Sequence, residues 1–334
     1  MLTVIVSSVI LGFESTAHTF GVSVVSDGSV LSNESATYTT ESGGMIPYEV
    51  ADHHESKWQS VLGEAFDEAG VEPGEVDAVA FSQGPGIGHT LRVGATVAKS
   101  VATRLDVGLV PVNHCVAHLE VGRLLSQCQD PVLLYVSGAN TQVIAYKAGR
   151  YRVFGETLDM GVGNLLDSVA REFGYGFPGG PALERAAKNS ETLVDIPYSV
   201  KGMDVSLGGL FTKVKRLYHN EGVASEDLAF SVQETVFAMM TEVAERAMAH
   251  TEKDDVVLGG GVACNERLQG MVESMAANRG GTAGWPDDEF LVDNAAMIAL
   301  TGELLHGAGK IIDVSEAVIK PGQRTDDVEV VYRD

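Results

Sequence analysis

With 334 residues, the chain is long for one domain and comfortable for two, each able to bury a core of its own. Hydrophobic residues make up 45% of it, in short runs between glycine-rich breaks, and the apolar start "MLTVIVSSVILGF" falls well short of the roughly 20 residues of a membrane span. A soluble globular protein with no membrane partner is therefore expected, and its net charge of −23 repels nucleic acid from the chain on its own, whether that acidity reflects a salty cytosol or solubility alone.

The opening residues lack a basic leader and a small-residue cleavage site, and read as a strand behind a few loose leading residues. Residues 11–31, "LGFESTAHTFGVSVVSDGSVL", predict a three-stranded meander with a tight Asp-Gly turn. An amphipathic helix follows at 51–70, where His53 and His54 diverge as adjacent helical residues and read as surface residues or a helix-face contact. Residues 76–102 form a buried strand, a glycine turn and a helix.

"VNHCVAHLE" (112–120) then places His114 and His118 four positions apart. On a helix they share a face with about 6 Å between β-carbons, close enough to converge on one divalent metal. Two unconnected histidines would give the same spacing. Cys115 points elsewhere, and with Cys128 and Cys264 it makes no spaced framework, which fits a reducing cytoplasm. The glutamate that zinc peptidases carry directly after the first histidine is replaced by Cys115, so a metallopeptidase would lack its base.

Residues 133–154, "LLYVSGANTQVIAYKAGRYRVF", repeat the meander, and 253–276, "KDDVVLGGGVACNERLQGMVESMA", repeat the strand, glycine turn and helix. Helical stretches lie between these members, including 228–251. One α/β unit thus occurs twice, the pattern of the actin, sugar-kinase and heat-shock ATPase (ASKHA) fold with an interlobe nucleotide cleft. An ordinary doubly wound α/β protein is the alternative. The lobes are expected at 1–130 with a return of 301–334, and at 131–300 with a helical insertion.

The glycine turns suit a nucleotide. "YVSGANTQ" offers amides and small hydroxyls for close approach to a phosphate. "GGGVACNERL" opens a helix where Asn265 either reads adenine or caps the helix. In "GFPGGPALERA" (176–186), Glu184 suits a ribose hydroxyl or the helix N-terminus. Asp293, in "FLVDNAAMIAL" (290–300), is a further candidate ligand or an N-cap, and Tyr135 a core residue or weak ligand.

The set "VNHCVAHLEVGR", "LYVSGANTQVIAY", "RVFGETLD", "GVGNLLD", "FPGGPALE", "GGGVACNERL", "VDNAAMIA" and "QRTDDVEV" resembles the universal tRNA threonylcarbamoyladenosine transferase family. The archaeal and eukaryotic branch, the catalytic subunit of the KEOPS complex, is the nearest in pattern, and the resemblance covers nearly the whole chain in order. It implies the ASKHA fold and one divalent metal per subunit, iron or zinc, held by His114, His118, Asp293 and Tyr135. The first three of these carry the catalytic role. The resemblance also implies a cytoplasmic nucleotide-binding acyltransferase of tRNA processing. Such an enzyme moves the threonylcarbamoyl group from threonylcarbamoyl-AMP onto the exocyclic amine of the adenosine 3′ of the anticodon, in tRNAs reading codons that begin with A.

The adenylate would lie along Tyr135, Val136, Ser137, Gly138 and Ala139, with Asp167, Gly180, Glu184 and Asn265 at sugar or base. Partners implied are tRNA, the adenylate and the other KEOPS subunits, a small kinase/ATPase and accessory proteins. Departures from the family pattern are Ala139 and Ala295 at usual glycines, Leu207–Gly208 in place of Phe-Ser, and Ser15 where glycine is common. An alanine at a glycine site matters where the backbone needs positive φ, at a cost of about 1 kcal/mol or more. The rival readings are a metallopeptidase, an ATPase or sugar kinase of the same fold, and a non-catalytic scaffold.

Overall fold

Two hairpin turns set the strand registers of this chain. Asp27–Gly28 and Ala148–Gly149 both have positive φ at each position (51° and 72°; 52° and 76°), the backbone of a tight two-residue turn whose twist matches its flanking strands. The computed structural model describes residues 8–40, 45–126, 128–176 and 178–333. Residues 1–7 of the expected first strand, and Phe177 of "FPGGPALE", lie outside the described residues.

The first compact unit takes in the chain up to Val121, Ala148–Tyr151, and everything from Asp293 onward. It contains β1 (Val9–Glu14), β2 (Thr19–Ser26), β3 (Ser29–Thr37), α1 (Pro47–Ala69), β4 (Ala78–Gly84), α2 (Gly88–Leu105), β5 (Gly108–Asn113) and the first two turns of α3 (His114–Leu125). The sheet order is β3-β2-β1-β4-β5, antiparallel through the meander and parallel from β1 across β4 to β5. Leu11, Phe13, Phe20, Val22, Val79 and Phe81 fill its core together with Val61 and Ala65 of α1 and Ala98 of α2.

The second unit runs from Gly122 to Lys147 and from Arg152 to Val292. Its elements are β6 (Val132–Val136), β7 (Thr141–Lys147), β8 (Arg150–Glu156) from Arg152 onward, α4 (Val162–Glu172), α5 (Gly179–Ala187), β9 (Val200–Lys201), β10 (Asp204–Val205), α6 (Gly208–Glu221), α7 (Ser225–Thr251), β11 (Val256–Gly259), α8 (Glu266–Asn278), β12 (Ala283–Gly284) and the short α9 (Asp288–Leu291). The five-stranded sheet has the order β12-β11-β6-β7-β8. Reversed, it matches the first sheet strand for strand, so the rhyme of the two meanders is a duplicated topology. Between β8 and β11 run helices α4 to α7, whose Leu165, Val169, Leu210, Val232, Phe237 and Met240 share one buried cluster with Val132 and Leu134 of β6 and Val143 of β7.

The chain then returns through α10 (Ala295–Gly307), which packs on β1 and β2 and belongs whole to the first unit. The units therefore divide at Asp293, earlier than the 301 drawn from sequence. The close approach has a local cause. A β-carbon on Gly12 would come within 2.7 Å of the Ala299 nitrogen, and one on Gly302 within 2.5 Å of the Ala80 β-carbon. Small residues at 12, 80, 295, 299 and 302 let the helix lie flat on the sheet, a contact that any larger side chain would lift. Among the described residues no helix is long and apolar enough to cross a membrane.

Candidate functional site

The polar centre of the first unit begins where β5 stops. Asn113 ends the strand, and its Oδ1 accepts the Val116 N–H at 3.0 Å, so α3 opens directly at His114. His114 and His118 then stand one turn apart with ring centroids at 4.7 Å and planes at 86°. Their Nε2 atoms both turn to one oxygen, Asp293 Oδ1, at 3.4 Å and 3.2 Å. The aspartate is available because Asn294, not Asp293, caps α10 by accepting the Met297 N–H at 3.0 Å. Cys115 is buried on the same helix, and burial pushes its thiol pKa up.

Behind His114 lies Glu14, a fully buried carboxylate at the end of β1. Its Oε2 is 3.1 Å from His114 Nδ1, and its Oε1 accepts the Thr16 N–H at 2.6 Å and the Thr16 hydroxyl. Burial alone would lower the His114 pKa. The carboxylates of Glu14 and Asp293 outweigh it and hold the imidazole well above its usual value. His118 is pushed down, chiefly by burial. Burial also opposes the charge on Asp293, but the two imidazoles more than offset it and keep that carboxyl well below its usual range.

His114, His118 and Asp293 bring three donor atoms within 4.8 Å of one another, which makes them a candidate metal centre. The donor set fits. Two imidazoles and a carboxylate suit zinc or iron, and ligands at 2.0–2.1 Å in a tetrahedral arrangement sit about 3.4 Å apart, near the two imidazole-to-carboxylate separations of 3.4 Å and 3.2 Å. Glu14, 3.1 Å from His114 Nδ1, is placed as the outer carboxylate that would fix the tautomer and plane of a metal-bound imidazole. Sequence reasoning missed Glu14. Its only signal is a charge closing an otherwise apolar strand, "VILGFE", which also reads as an ordinary strand end.

The proposed adenylate residues all lie in the second unit. Tyr135 and Val136 are buried at the end of β6, and Ser137 to Asn140 form the turn to β7, with the Ser137 hydroxyl bonded to the Asn140 carbonyl at 3.0 Å. This turn is packed by glycines. A β-carbon on Gly161 would lie 2.4 Å from the Gly138 carbonyl oxygen, one on Gly163 2.7 Å from the Gly138 α-carbon, and one on Gly260 2.5 Å from the Val136 oxygen. Asp167, half-buried in α4, accepts the Gly179 N–H at 2.8 Å, which joins the start of α5 to α4 beside Gly180. Glu184 sits in the body of α5, 3.7 Å from the Lys188 ammonium. Asn265 is the α8 cap: its Oδ1 accepts from Arg267 and Leu268, and its amide donates to Gln233 Oε1 at 3.1 Å.

The departures from the family pattern are absorbed locally. Neither Ala139 nor Ala295 has positive φ, so neither alanine is strained. Leu207 is fully buried, and its N–H and that of Gly208 donate to Asp159, whose carboxyl these backbone bonds hold down against the opposing effect of burial. Ser15 Oγ occupies the place a β-carbon on Gly94 would take, at 1.9 Å, so the serine is accommodated by a glycine in α2.

Three comparisons bear on this architecture. The family model described as tRNA N6-adenosine threonylcarbamoyltransferase (TsaD) matches residues 29–300. The tRNA N6-adenosine threonylcarbamoyltransferase of Thermococcus kodakarensis is 50% identical over 96% of this chain and 99% of its own length. A probable bifunctional tRNA threonylcarbamoyladenosine biosynthesis protein of Methanocaldococcus jannaschii is 48% identical over 96% of this chain and 59% of its own length. Among solved structures, HypF from T. kodakarensis has a TM-score of 0.65 at 16% identity, covering 90% of this chain and 48% of that one. Component A of the Acidaminococcus fermentans (R)-2-hydroxyglutaryl-CoA dehydratase has a TM-score of 0.57 at 14% identity, covering 89% and 98%. These two likenesses concern the fold, and with the doubled sheet order they mark it as ASKHA-type. Matched almost end to end at half identity, the chain belongs to the tRNA N6-adenosine threonylcarbamoyltransferase family.

Proposed function

We propose that this protein transfers a threonylcarbamoyl group from threonylcarbamoyl-AMP to the N6 amine of the adenosine 3′ of the anticodon in tRNA. The observation that carries the reading is the convergence of His114, His118 and Asp293, in a chain whose relatives bear that activity in their names. A metallopeptidase needs a base beside its first histidine, and Cys115 in that place is buried with its pKa raised by desolvation.

In the transfer, a bond forms from the adenosine nitrogen to the carbamoyl carbon as that nitrogen gives up one proton to solvent, the carbamoyl–phosphate bond breaks, and AMP leaves. The mixed anhydride is already activated, so orientation and charge stabilisation matter more than a nucleophile. His114, His118 and Asp293 would hold a divalent cation, and that ion would supply Lewis-acid stabilisation of the acyl group or the leaving phosphate. Glu14 holds the His114 Nδ1 proton, which leaves Nε2 as the ligand atom. The further-ligand role that the resemblance gives Tyr135 belongs to the same proposal.

The exposed turn Gly138–Asn140 presents backbone and small side chains to a phosphate, while Asp167 and Glu184 accept from ribose hydroxyls. Asn265 and Gly180 line the base and sugar. The acidic surface leaves most tRNA phosphate contacts to basic partner subunits of a KEOPS-type assembly in the cytoplasm, and iron is the favoured metal over zinc.

Reconstitution with threonylcarbamoyl-AMP, tRNA and the partner subunits tests the reading. Wild type is expected to form the modified nucleoside and His114→Ala to lose at least a hundredfold in rate. Equal product from both overturns the metal role, and no product from wild type overturns the assigned activity.

A further inference from the structure

The face of α3 away from the histidine pair is anchored by residues with no place in the chemistry above. Glu120 follows His118 by two positions, about 200° round the helix. Its side chain is fully buried, as is Tyr151, whose hydroxyl donates to Glu120 Oε1 at 2.6 Å. Arg333 Nη1 in turn donates to the Tyr151 oxygen at 2.9 Å, and the guanidinium carbon lies 5.7 Å from the Tyr151 ring centroid.

Arg333 is delivered by a segment, 325–333, that is tied down along its length. Val330 N–H donates to the Gly149 carbonyl at 2.9 Å. Arg150 donates to the Asp326 and Asp327 carbonyls, both at 3.3 Å, and to Glu329 Oε1 at 3.0 Å. At the other end the buried Thr325 side chain lies beside the Cys115 thiol, the residue after His114. The segment is thus hydrogen-bonded to α3 beside His118, through Tyr151 and Glu120.

A carboxylate withdrawn from water is costly unless it is hydrogen-bonded in a defined geometry, so Glu120 permits one azimuth of α3 and penalises others. That azimuth is also the one that turns both Nε2 atoms to Asp293 Oδ1. Resting on the metal reading above, we propose that Glu120, Tyr151 and Arg333 are positioning residues for the metal centre, a strap that fixes the rotation of α3 and so the convergence of its two imidazoles. None of them touches the reacting atoms.

Cobalt(II) titration of the full chain tests the strap, with the visible d–d band reporting ligand geometry and a competing chelator reporting affinity. Wild type is expected to bind Co2+ and His118→Ala to lose the band. Tyr151→Phe and Arg333→Met are expected to bind about ten- to a hundredfold more weakly with a shifted band, the range for lost outer ligand support. Glu120→Gln, which keeps an oxygen for the tyrosine hydroxyl, should restore most of what Glu120→Ala loses. Thermal unfolding of each variant in excess EDTA separates orientation from stability. Folded Tyr151→Phe and Arg333→Met with wild-type band and affinity overturn the strap while the metal reading stands. Failure of wild type to bind Co2+, or equal binding by His118→Ala, overturns both.

Discussion

The donor cluster of the first unit and the glycine turn of the second solve opposite problems. Around His114 the side chains are buried, charged and held by one another, so the centre is built in advance of any ligand. Around Gly138 the side chains are small or absent, and the backbone is shaped by neighbouring glycines that fit against it. The first region depends on electrostatics in a dry setting and the second on excluded volume. Substitutions in the two should fail differently.

The largest effect is expected from the charged cluster. Asp293→Ala should lower the turnover of nucleoside formation by about a thousandfold, some 4 kcal/mol of barrier, with little change in the KM for the adenylate. Asp167→Asn should do the reverse, raising that KM more than it lowers turnover. Steady-state kinetics of the reconstituted system separate the two, and a shared pattern would erase the distinction.

A pH effect follows in the same unit, away from the metal ligands. His54 is fully buried on α1 with Nε2 at 3.1 Å from the Ala17 carbonyl, the helix-face contact rather than the surface residue of the two readings its sequence allowed. Burial lowers its pKa from 6.5 to about 4. The unfolded chain then takes up a proton more readily than the folded one. The stability this contributes is complete above pH 6.5 and lost as pH falls toward 4, a change of about 3 kcal/mol. His54→Gln should flatten that part of the stability–pH curve, measured by urea unfolding between pH 4 and 7.5. An unchanged slope would remove His54 as its source.

In the glycine region, Gly161→Ala should cost about 2 kcal/mol in urea unfolding, since its β-carbon meets the backbone of Gly138 and Ala139 at 2.4–2.6 Å. Gly138→Ala, whose nearest neighbour is Asn164 at 3.7 Å, should stay within about 0.5 kcal/mol of wild type. Equal costs would mean the turn is not shaped by contact.

The smallest and most specific effect is a coupling. Gly94→Ala should lose about 1–2 kcal/mol in wild type and much less in a Ser15→Gly background, because the two occupy one space. Additive losses would show that the pair is independent.

These contrasts explain what could be read in advance. The duplicated sheet was legible because hairpins need particular turn residues, as at Asp27–Gly28 and Ala148–Gly149, and because strand, glycine and helix recur in order. The histidine pair was legible because one helical turn is a sequence-local distance. Asp293 was legible only as a charge before an apolar helix, and its release from capping depends on Asn294 beside it. Glu14 and the Glu120–Tyr151–Arg333 chain were not legible. Their partners lie 100, 31 and 182 positions away, and spacing carries no signal across such separations. Likewise Asn265 reads as cap or base contact from its neighbours alone, and the structure shows its cap bonds to Arg267 and Leu268.

The central claim is that two imidazoles and one carboxylate hold a catalytic cation. Metal content of the purified full chain, read by mass spectrometry beside that of the His114→Ala, His118→Ala and Asp293→Ala variants, tests it most directly. One divalent ion per chain in the parent and none in the three variants is the expected result. The same metal retained at the same stoichiometry after all three substitutions would contradict it.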